Sequence, residues 1–370
     1  MSSNKNRTLV QICASLDPKL GGPPRVVKDT FTRLSEAFNT RLIVFGNTDF
    51  QTNGLIHSPT WINNRYGLSI NFPKKQIREA LSSSDIVLIH GFYLYSTLLA
   101  ILYSKTRFLF LMPHGSIEAF QESHSQWRKM IFSFFLRKIL RDRTIHFLVA
   151  SESERNSVII KFPKSRVTVV GLGVDIRIPG DMSSSHRINE IKLFCLSRIS
   201  DIKRIDLSIK AMALLRKEAK RYTLDIYGEG DRKLTESLLK LRSSLDLENH
   251  VNFFGFADSD TKSEVFANSD ILLLPSENEN FAIAAAEAVA AGRPVVVYKR
   301  VGFHEFVDLY KTGITIETLD EFSIANAVRA IVSDYSFYQQ NCLNNAGQLS
   351  WDSVILKWIA ELGNELEYNE

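Results

Sequence analysis

A polar loop in the second half of the chain joins an aliphatic strand to an alanine-rich helix. Glu279 lies in this loop, just before the expected start of the helix at Phe281. Free backbone N–H groups and the helix dipole at such a junction favour an anion such as a phosphate. They would equally stabilise the carboxylate of Glu279 as a helix cap. The loop is therefore either a ligand site or a capped helix end.

A second carboxylate, Glu287, lies two turns further on, among alanines that indicate a helix packed closely on its neighbours. A carboxylate in such packing needs hydrogen-bond donors. The two adjacent hydroxyls of a ribose are one possible partner, and a salt bridge within the protein is the other.

An arginine and a lysine follow another aliphatic strand, at 191–196. The planar guanidinium of Arg198 can hold two phosphate oxygens, and the ammonium of Lys203 is a compact positive charge. Exposed basic side chains without a ligand are the alternative.

Two motifs in the first half, Gly21-Gly22 and Pro113-His114-Gly115, also follow aliphatic strands. Ligands of open parallel sheets lie outside the carboxyl ends of the strands, which favours a ligand site at both motifs. Taken alone, a glycine pair is commonly only a turn, and a histidine is commonly structural.

These loops require a parallel sheet with helices on its faces, and the alternation of short apolar runs with longer helical segments predicts one in each half. Strands are expected at 9–14, 41–45, 85–90, 107–112, 146–150 and 167–170, and at 191–196, 222–227, 251–254, 271–274 and 294–298. Helices are expected at 25–38, 74–82, 127–140, 205–217, 231–244, 281–291 and 321–333. The length of 370 residues favours two domains, and Pro179, Gly180 and a run of three serines indicate a linker at 178–188.

The motifs of the second half, taken in order, resemble the signature of the retaining GT-B glycosyltransferases of family 4. Glu279 and Glu287 stand eight positions apart around Asn280-Phe281. The other matching motifs are Cys195-Leu196-Ser197-Arg198 with Lys203, Asp225-Ile226-Tyr227-Gly228-Glu229-Gly230, Val251-Asn252-Phe253-Phe254-Gly255-Phe256 and Gly292-Arg293-Pro294-Val295. In the first half the likeness is confined to Gly21-Gly22 and Pro113-His114-Gly115.

The resemblance implies an α/β fold of the GT-B type, with two Rossmann-like α/β domains facing an interdomain cleft. The acceptor domain would cover 1–178, and a helix at about 350–370 would pack back on it through Trp351 and Trp358. The nucleotide-sugar donor domain would cover 179–349.

The resemblance also implies roles for individual residues. Arg198 and Lys203 would neutralise the diphosphate, Glu279 would accept from hexose hydroxyls, and Glu287 from ribose hydroxyls, with His114 beside the reacting sugar. The implied catalytic residues are His114, Arg198, Lys203 and Glu279. The implied substrate-binding residues are Gly21, Gly22, Gly228, Phe256, Asn280, Phe281, Ala282, Ile283 and Glu287.

Three residues depart from the family pattern. Ala282 and Ser197 stand where the family usually has glycine, and Leu172 where it usually has asparagine. The methyl group of Ala282 narrows the space in which backbone N–H groups would approach the sugar.

The expected activity is retaining transfer of a hexose from a nucleotide diphosphate sugar, UDP-glucose or a related UDP-hexose, to a glycan or lipid-linked acceptor in polysaccharide biosynthesis. No cofactor, metal or nucleic acid is expected. Asp258-Ser259-Asp260 has the outline of an Asp-x-Asp metal motif, but it precedes a helix near Thr261, where aspartate and serine are ordinary caps. A non-hydrolysing nucleotide-sugar epimerase and a non-catalytic nucleotide-sugar-binding subunit are the alternatives.

Charge is distributed unevenly. Residues 1–180 carry 24 Lys and Arg against 12 Asp and Glu, a net +12, and the remaining residues carry 21 against 29, a net −8. The basic half would attract an acidic glycan, a lipid diphosphate or a membrane surface, or its basic side chains are merely solvated. Residues 127–141, from Trp127 to Arg141, combine basic and large apolar side chains on an expected helix, which would rest on a membrane or join the core.

The sequence begins with polar residues and has no apolar run long enough for a membrane helix, so neither a signal peptide nor a membrane span is expected. Its three cysteines are far apart, which is typical of a reduced protein without disulfides or zinc. We therefore expect a cytoplasmic protein, either freely soluble or peripheral at the inner face of the membrane.

Overall fold

The computed structural model describes residues 4–17, 20–46, 48–58, 73–117, 145–175, 190–218 and 221–364. The chain divides into two compact units. The amino-terminal unit comprises Met1–Leu172 and Val354–Glu370, and the carboxyl-terminal unit comprises Gly173–Ser353.

The amino-terminal unit is built on a seven-stranded parallel sheet with the order β3-β2-β1-β4-β5-β6-β7. Its strands are β1 (Thr8–Cys13), β2 (Asn39–Val44), β3 (Leu55–His57), β4 (Ile86–His90), β5 (Phe108–Met112), β6 (Ile145–Val149) and β7 (Arg166–Val169). Its described helices are α1 (Gly22–Ala37), α2 (Lys74–Ser82), α3 (Tyr95–Tyr103) and α4 (Glu152–Lys161). Every residue of β4 and β6 is buried, as expected for central strands covered on both faces.

The carboxyl-terminal unit has a six-stranded parallel sheet with the order β10-β9-β8-β11-β12-β13. Its strands are β8 (Glu190–Leu196), β9 (Arg221–Tyr227), β10 (Val251–Gly255), β11 (Ile271–Leu274), β12 (Val295–Tyr298) and β13 (Gly313–Ile316). Its helices include α5 (Ile205–Leu215), α6 (Arg232–Ser244), α7 (Ser259–Asn268), α8 (Ile283–Ala290), α9 (His304–Tyr310), α10 (Glu321–Ser333) and α11 (Tyr335–Asn345).

Each sheet contains one point at which the strand order reverses. In the amino-terminal sheet β1 pairs with both β2 and β4, and in the carboxyl-terminal sheet β8 pairs with both β9 and β11. Helices leave such neighbouring strands toward opposite faces, which opens a crevice at their carboxyl ends. The loops after β1, β4, β8 and β11 are therefore the places where a ligand is expected.

The last helix, α12 (Trp351–Asn364), connects the final described residues to the amino-terminal unit. Trp358 is fully buried, and its Nε1 donates to the carbonyl oxygen of Gly171 at 3.3 Å. Glu361 pairs with Arg166 at 3.1 Å. Trp351, by contrast, is buried against Gly173 of the carboxyl-terminal unit.

All eleven expected strands are present, with ends that differ by at most two residues. The short strands β3 and β13 and the helices α3, α4, α9 and α11 were not expected. The helix expected at 281–291 begins two residues later, at Ile283. The expected helix at 127–140 and the expected linker at 178–188 lie outside the described residues. None of the described helices is long and apolar enough to cross a bilayer.

Candidate functional site

An ion pair joins the loops that follow β8 and β11, the two strands at the reversal of the carboxyl-terminal sheet. The ammonium of Lys203 pairs with Oε1 of Glu279, and the hydroxyl of Ser276 donates to the same oxygen at 2.7 Å. Both partners are largely buried, with side-chain exposures of 14% and 17%. The structure thus brings two of the predicted site residues, Lys203 and Glu279, together in an ion pair. The carboxylate of Glu279 does not cap α8, whose N-cap is Ala282 without a side-chain hydrogen bond.

A second set of ion pairs and hydrogen bonds joins the same two loops. The guanidinium of Arg204 binds both oxygens of Asp206, at 3.1 and 3.2 Å, and Glu277 at 3.2 Å. The Asp206 carboxylate raises the pKa of Arg204. The backbone N–H of Glu277 donates to the carbonyl of Ile202 at 2.8 Å. These bonds fix the Lys203 turn against the Glu279 loop without using Lys203 itself.

Arg198 lies at the end of β8 and is exposed. Among the described residues, its guanidinium has no ion pair or hydrogen bond. The backbone that carries it is supported by the glycine turn after β9. A Cβ atom on Gly228, whose φ is 146°, would lie 1.8 Å from the carbonyl oxygen of Ser197. Gly228 is therefore required for close backbone packing under Arg198.

The helix α8 begins at an unusual backbone conformation. Ala282 adopts the left-handed region, with φ 64° and ψ 66°, where glycine is the ordinary residue. Among the described residues, no group accepts a hydrogen bond from the N–H of Phe281, Ala282 or Ile283. Oδ1 of Asn280 is buried and has no described partner. This end of the helix can therefore offer several donors to an anion or a sugar.

Glu287 is 7% exposed and binds the ammonium of Lys262 through both oxygens, at 2.9 and 3.3 Å. The salt bridge that the sequence left as an alternative to a ribose is thus present. The lysine comes from α7, whose N-cap is Asp258. The Asp258 carboxylate accepts from the N–H of Thr261 at 2.8 Å, as its interpretation as a helix cap predicts.

Two exposed aromatic rings mark the end of β10. Phe256 is 68% exposed, and Phe254 is 55% exposed and stacks on Tyr227 with ring centroids 4.9 Å apart. The strand β10 is the edge strand next to β9, and exposed rings at its carboxyl end suit contact with a flat, apolar ligand surface such as a nucleobase.

In the amino-terminal unit, Gly21 is the N-cap of α1 and Gly22 is its first residue. Gly21 has φ 92° and ψ −139°, a conformation that side chains exclude. The helix starts at Gly22 and continues with Pro23 and Pro24. Prolines lack an N–H, so the donors of this helix end are the N–H groups of the two glycines, which have no acceptor among the described residues.

Two histidines stand at the carboxyl ends of β4 and β5. Nδ1 of His90 lies 3.0 Å from Nε2 of His114, and the two ring planes are nearly parallel. Nε2 of His90 lies 3.0 Å from Oε1 of Gln11, a residue of β1. Burial lowers the pKa of His114 to about 4 and that of His90 well below its usual value. Both rings are therefore neutral at pH 7.

The loop that carries His114 is held by a buried carboxylate. His114 and Gly115 both have positive φ, 54° and 76°. Glu154, at the start of α4, accepts from the N–H of Gly115 at 2.6 Å and from that of Ala150 at 2.9 Å. Ser151 caps the same helix by accepting from the N–H of Glu154. The carboxylate thereby fixes a backbone conformation that a histidine would otherwise avoid.

Sequence reasoning did not identify Gln11, His90, Glu154, Lys262 or Ser276 as part of these sites. Ser276 and Glu277 flank the loop that was identified, and their polar side chains after a buried strand were a usable signal. Gln11 and His90 are brought together by strand pairing across 79 residues, and Glu154 and Lys262 by the packing of their helices. The described residues contain no cluster of three His, Cys, Asp or Glu side chains suited to a metal ion.

Known families match both halves of the chain. Residues 20–177 match the model for Glycosyltransferase Family 4, and residues 181–348 match that for Glycosyl transferases group 1. An uncharacterized glycosyltransferase of Methanocaldococcus jannaschii is 30% identical over 227 residues, which are 56% of this chain and 57% of that protein. A GDP-mannose-dependent α-(1-6)-phosphatidylinositol dimannoside mannosyltransferase of Mycobacterium tuberculosis is 28% identical over 208 residues, 54% of this chain and 52% of that protein. The matches thus span about half the length of these curated relatives.

Solved structures share the fold over nearly the whole chain. HepE of Anabaena, solved in complex with UDP and glucose, has a TM-score of 0.74 at 18% identity and covers 98% of this chain and 100% of its own. The two parallel sheets of the chain thus form the GT-B fold that the motifs predicted.

Proposed function

Since the chain belongs to the GT-B glycosyltransferases of the family 4 type, we propose that it transfers a hexose from a nucleotide diphosphate sugar to a glycan or lipid-linked acceptor, with retention of configuration. The observation that carries this proposal is the arrangement at the reversal of the carboxyl-terminal sheet. Arg198 and Lys203 follow β8, and the free N–H groups of α8 follow β11.

Positive charge at this place suits the departure of a diphosphate. As the bond between the sugar carbon and the diphosphate oxygen breaks, negative charge grows on the phosphates. Arg198, which has no described partner, can bind two of their oxygens. Lys203 and the dipole of α8 add further stabilisation. We propose that these groups suffice without a bound metal.

The nucleoside and the sugar would occupy the residues around this centre. The ribose hydroxyls would donate to Glu287 and compete with Lys262 for its carboxylate. Phe256 would contact the base, and Glu279 with Asn280 would bind hexose hydroxyls, for which the unpartnered Oδ1 of Asn280 is suited. Gly228, one of the predicted substrate-binding residues, would instead support the backbone that carries Arg198.

Retention is proposed to follow from attack on the face that the diphosphate leaves. The acceptor oxygen would bond to the sugar carbon, and a phosphate oxygen would take the proton of the acceptor hydroxyl. His114, held neutral, would form a hydrogen bond to the transferred sugar and would not act as an acid at pH 7.

UDP-glucose or a related UDP-hexose is the proposed donor. The complex of the structural neighbour HepE with UDP and glucose supports this assignment. The main alternative donor is GDP-mannose, on which the relative from Mycobacterium tuberculosis depends. We also propose a cytoplasmic location, in keeping with three free, buried cysteines. A peripheral membrane contact through Trp127–Arg141 stays a prediction, because those residues lie outside the described part of the chain.

Replacement of Arg198 by alanine tests the proposal. We expect turnover to fall about 10²- to 10³-fold, the usual effect of losing one charge-stabilising donor, with folding unchanged because the side chain is exposed. The matched control is Arg221→Ala, which removes an exposed arginine that is 4.0 Å from Glu190. Nucleotide release and sugar transfer would be measured in both variants. Equal rates in the two variants would contradict the assignment of Arg198.

The same assay separates the alternatives. Free epimerised nucleotide sugar in the absence of acceptor would indicate an epimerase. Nucleotide-sugar binding without nucleotide release, with or without acceptor, would indicate a non-catalytic subunit. Neither outcome is expected.

A further inference from the structure

A line of three polar side chains, the buried Gln11 and His90 and the partly buried His114, crosses the carboxyl ends of β1, β4 and β5. Gln11 is fully buried and His90 is 3% exposed. Neighbouring members are 3.0 Å apart, through Oε1 of Gln11 and Nε2 of His90, and through Nδ1 of His90 and Nε2 of His114. The strands that carry Gln11 and His90 are paired directly in the sheet, so these positions are rigid.

Each ring in this line is neutral, because burial lowers the pKa of both histidines. A neutral imidazole carries one proton, so one ring nitrogen donates and the other accepts. A donor at one end of the His90 ring therefore forces an acceptor at the other. Whether the Gln11 side chain accepts from or donates to His90 therefore determines which ring nitrogen of His114 is protonated.

We propose that Gln11 is a positioning residue that, through His90, fixes which ring nitrogen of His114 carries its proton. Oε1 of Gln11 accepts from Nε2 of His90, which leaves Nδ1 of His90 to accept from Nε2 of His114. Nδ1 of His114 is then unprotonated, and it has no described partner. It is ready to accept a hydrogen bond from a ligand hydroxyl, which, under the function proposed above, belongs to the transferred hexose.

The surroundings of Gln11 support a role beyond packing. Its described side-chain contacts are all made by Oε1, and its Nε2 is buried without a described partner. Its Oε1 also lies 3.3 Å from the hydroxyl of Thr30, which donates to the carbonyl of Val26 at 2.8 Å. An amide turned by 180° would place Nε2 beside His90 and invert the protonation of both rings. The orientation of one amide thus decides whether His114 accepts or donates.

Nitrogen NMR on histidine-labelled protein tests the proposal without any substrate, so it is independent of the function proposed above. In the wild-type protein we expect His114 as a single tautomer, protonated at Nε2. Its signals are assigned by their loss in His114→Asn. A mixture of tautomers, or a proton on Nδ1, would overturn the assignment.

Two variants break the line at different points. Gln11→Met removes the hydrogen bond to His90, and His90→Phe keeps a flat ring but no ring nitrogen. Both should raise the fraction of His114 that is protonated at Nδ1. Gln340→Met, at an exposed glutamine of the carboxyl-terminal unit, is the matched control and should change nothing. An unchanged His114 tautomer in Gln11→Met would contradict the proposal, and His90→Phe allows the same test if Gln11→Met does not fold.

Turnover supplies a second measure. We expect kcat to fall roughly 10- to 100-fold in Gln11→Met and in His90→Phe, by analogy with the loss of a group that orients a metal-bound histidine. Because both variants break one line, the double variant should be no slower than His90→Phe alone. Multiplied effects in the double variant would show that Gln11 and His90 act separately.

Discussion

Ala282 illustrates how a single methyl group can conflict with the local backbone. Its φ of 64° lies in the region that glycine adopts freely and that costs other residues about 1–2 kcal/mol. The family usually has glycine at this position, and the left-handed conformation explains that preference. Alanine is the smallest residue that departs from it.

Replacement of Ala282 tests this explanation. Ala282→Gly should change the free energy of unfolding by less than about 1 kcal/mol, because relief of the left-handed conformation offsets the added freedom of the unfolded chain. Ala282→Val should lose more than about 2 kcal/mol, because branching at Cβ is poorly tolerated at positive φ. Urea unfolding measures both, and Ala284→Val, within the first turn of α8, is the control. Similar losses at positions 282 and 284 would rule out the backbone explanation.

Some of the site residues could be identified from the sequence, and others could not. Glu279 was identified because it lies between an apolar strand and a helix, and Lys203 through the resemblance to family 4; the two form an ion pair. Lys262 and His90 were missed because neither belongs to a motif with a recognisable spacing. Their contacts depend on which strands and helices become neighbours, a property of the whole sheet.

At the scale of elements, the paired histidines after β4 and β5 make stability depend on pH. Their pKa values are lowered in the folded state, while the unfolded chain protonates near pH 6.5. Between pH 6.5 and about 4 the unfolded state therefore binds more protons, and the free energy of unfolding falls as pH falls. Above pH 6.5 the two histidines contribute no slope.

Urea unfolding at pH 7 and pH 5 measures this effect. For His114, with a folded pKa of about 4, the loss between these pH values should be up to about 2 kcal/mol. His114→Phe should lose correspondingly less over the same interval, even if it is less stable at pH 7. An identical loss in the variant and the wild type would show that folding does not lower the pKa of His114.

The strands were the most predictable elements. Runs such as 86–89 and Ile271–Leu274 are apolar throughout because both faces of a parallel sheet are covered. The strand β13 was missed because it is short and begins with Gly313, a residue that weakens strand patterns. A Cβ atom there would lie 2.0 Å from the carbonyl oxygen of Val295, so close backbone packing explains the glycine. The order of the strands in each sheet, which creates the reversals, cannot be predicted from the local sequence.

At the scale of the whole molecule, the two units offer separate cores that can unfold separately. A nucleotide held by Arg198, Lys203 and Glu287 should stabilise the carboxyl-terminal unit in particular. At a concentration of 100 times Kd, a ligand that binds only the folded state adds about 2.7 kcal/mol.

Thermal unfolding with UDP, GDP and ADP at equal concentrations measures this selectivity. We expect a shift of several degrees with UDP, little change with GDP or ADP, and loss of the shift in Arg198→Ala. The midpoint of thermal unfolding of the amino-terminal unit should change least. A larger shift with GDP would replace UDP-hexose by a GDP-sugar as the proposed donor, and no shift with any nucleotide would contradict the nucleotide site.

The amino-terminal unit includes a segment of helix α12, which is translated last. The amino-terminal unit leaves the ribosome first, yet its segment Val354–Glu370, with the fully buried Trp358 and Leu362, is translated only after the whole of Gly173–Ser353. At usual elongation rates this delay is about 10–40 s. The nascent amino-terminal unit must wait through that interval with the surface for α12 uncovered, while the unit translated second can be the first to finish folding.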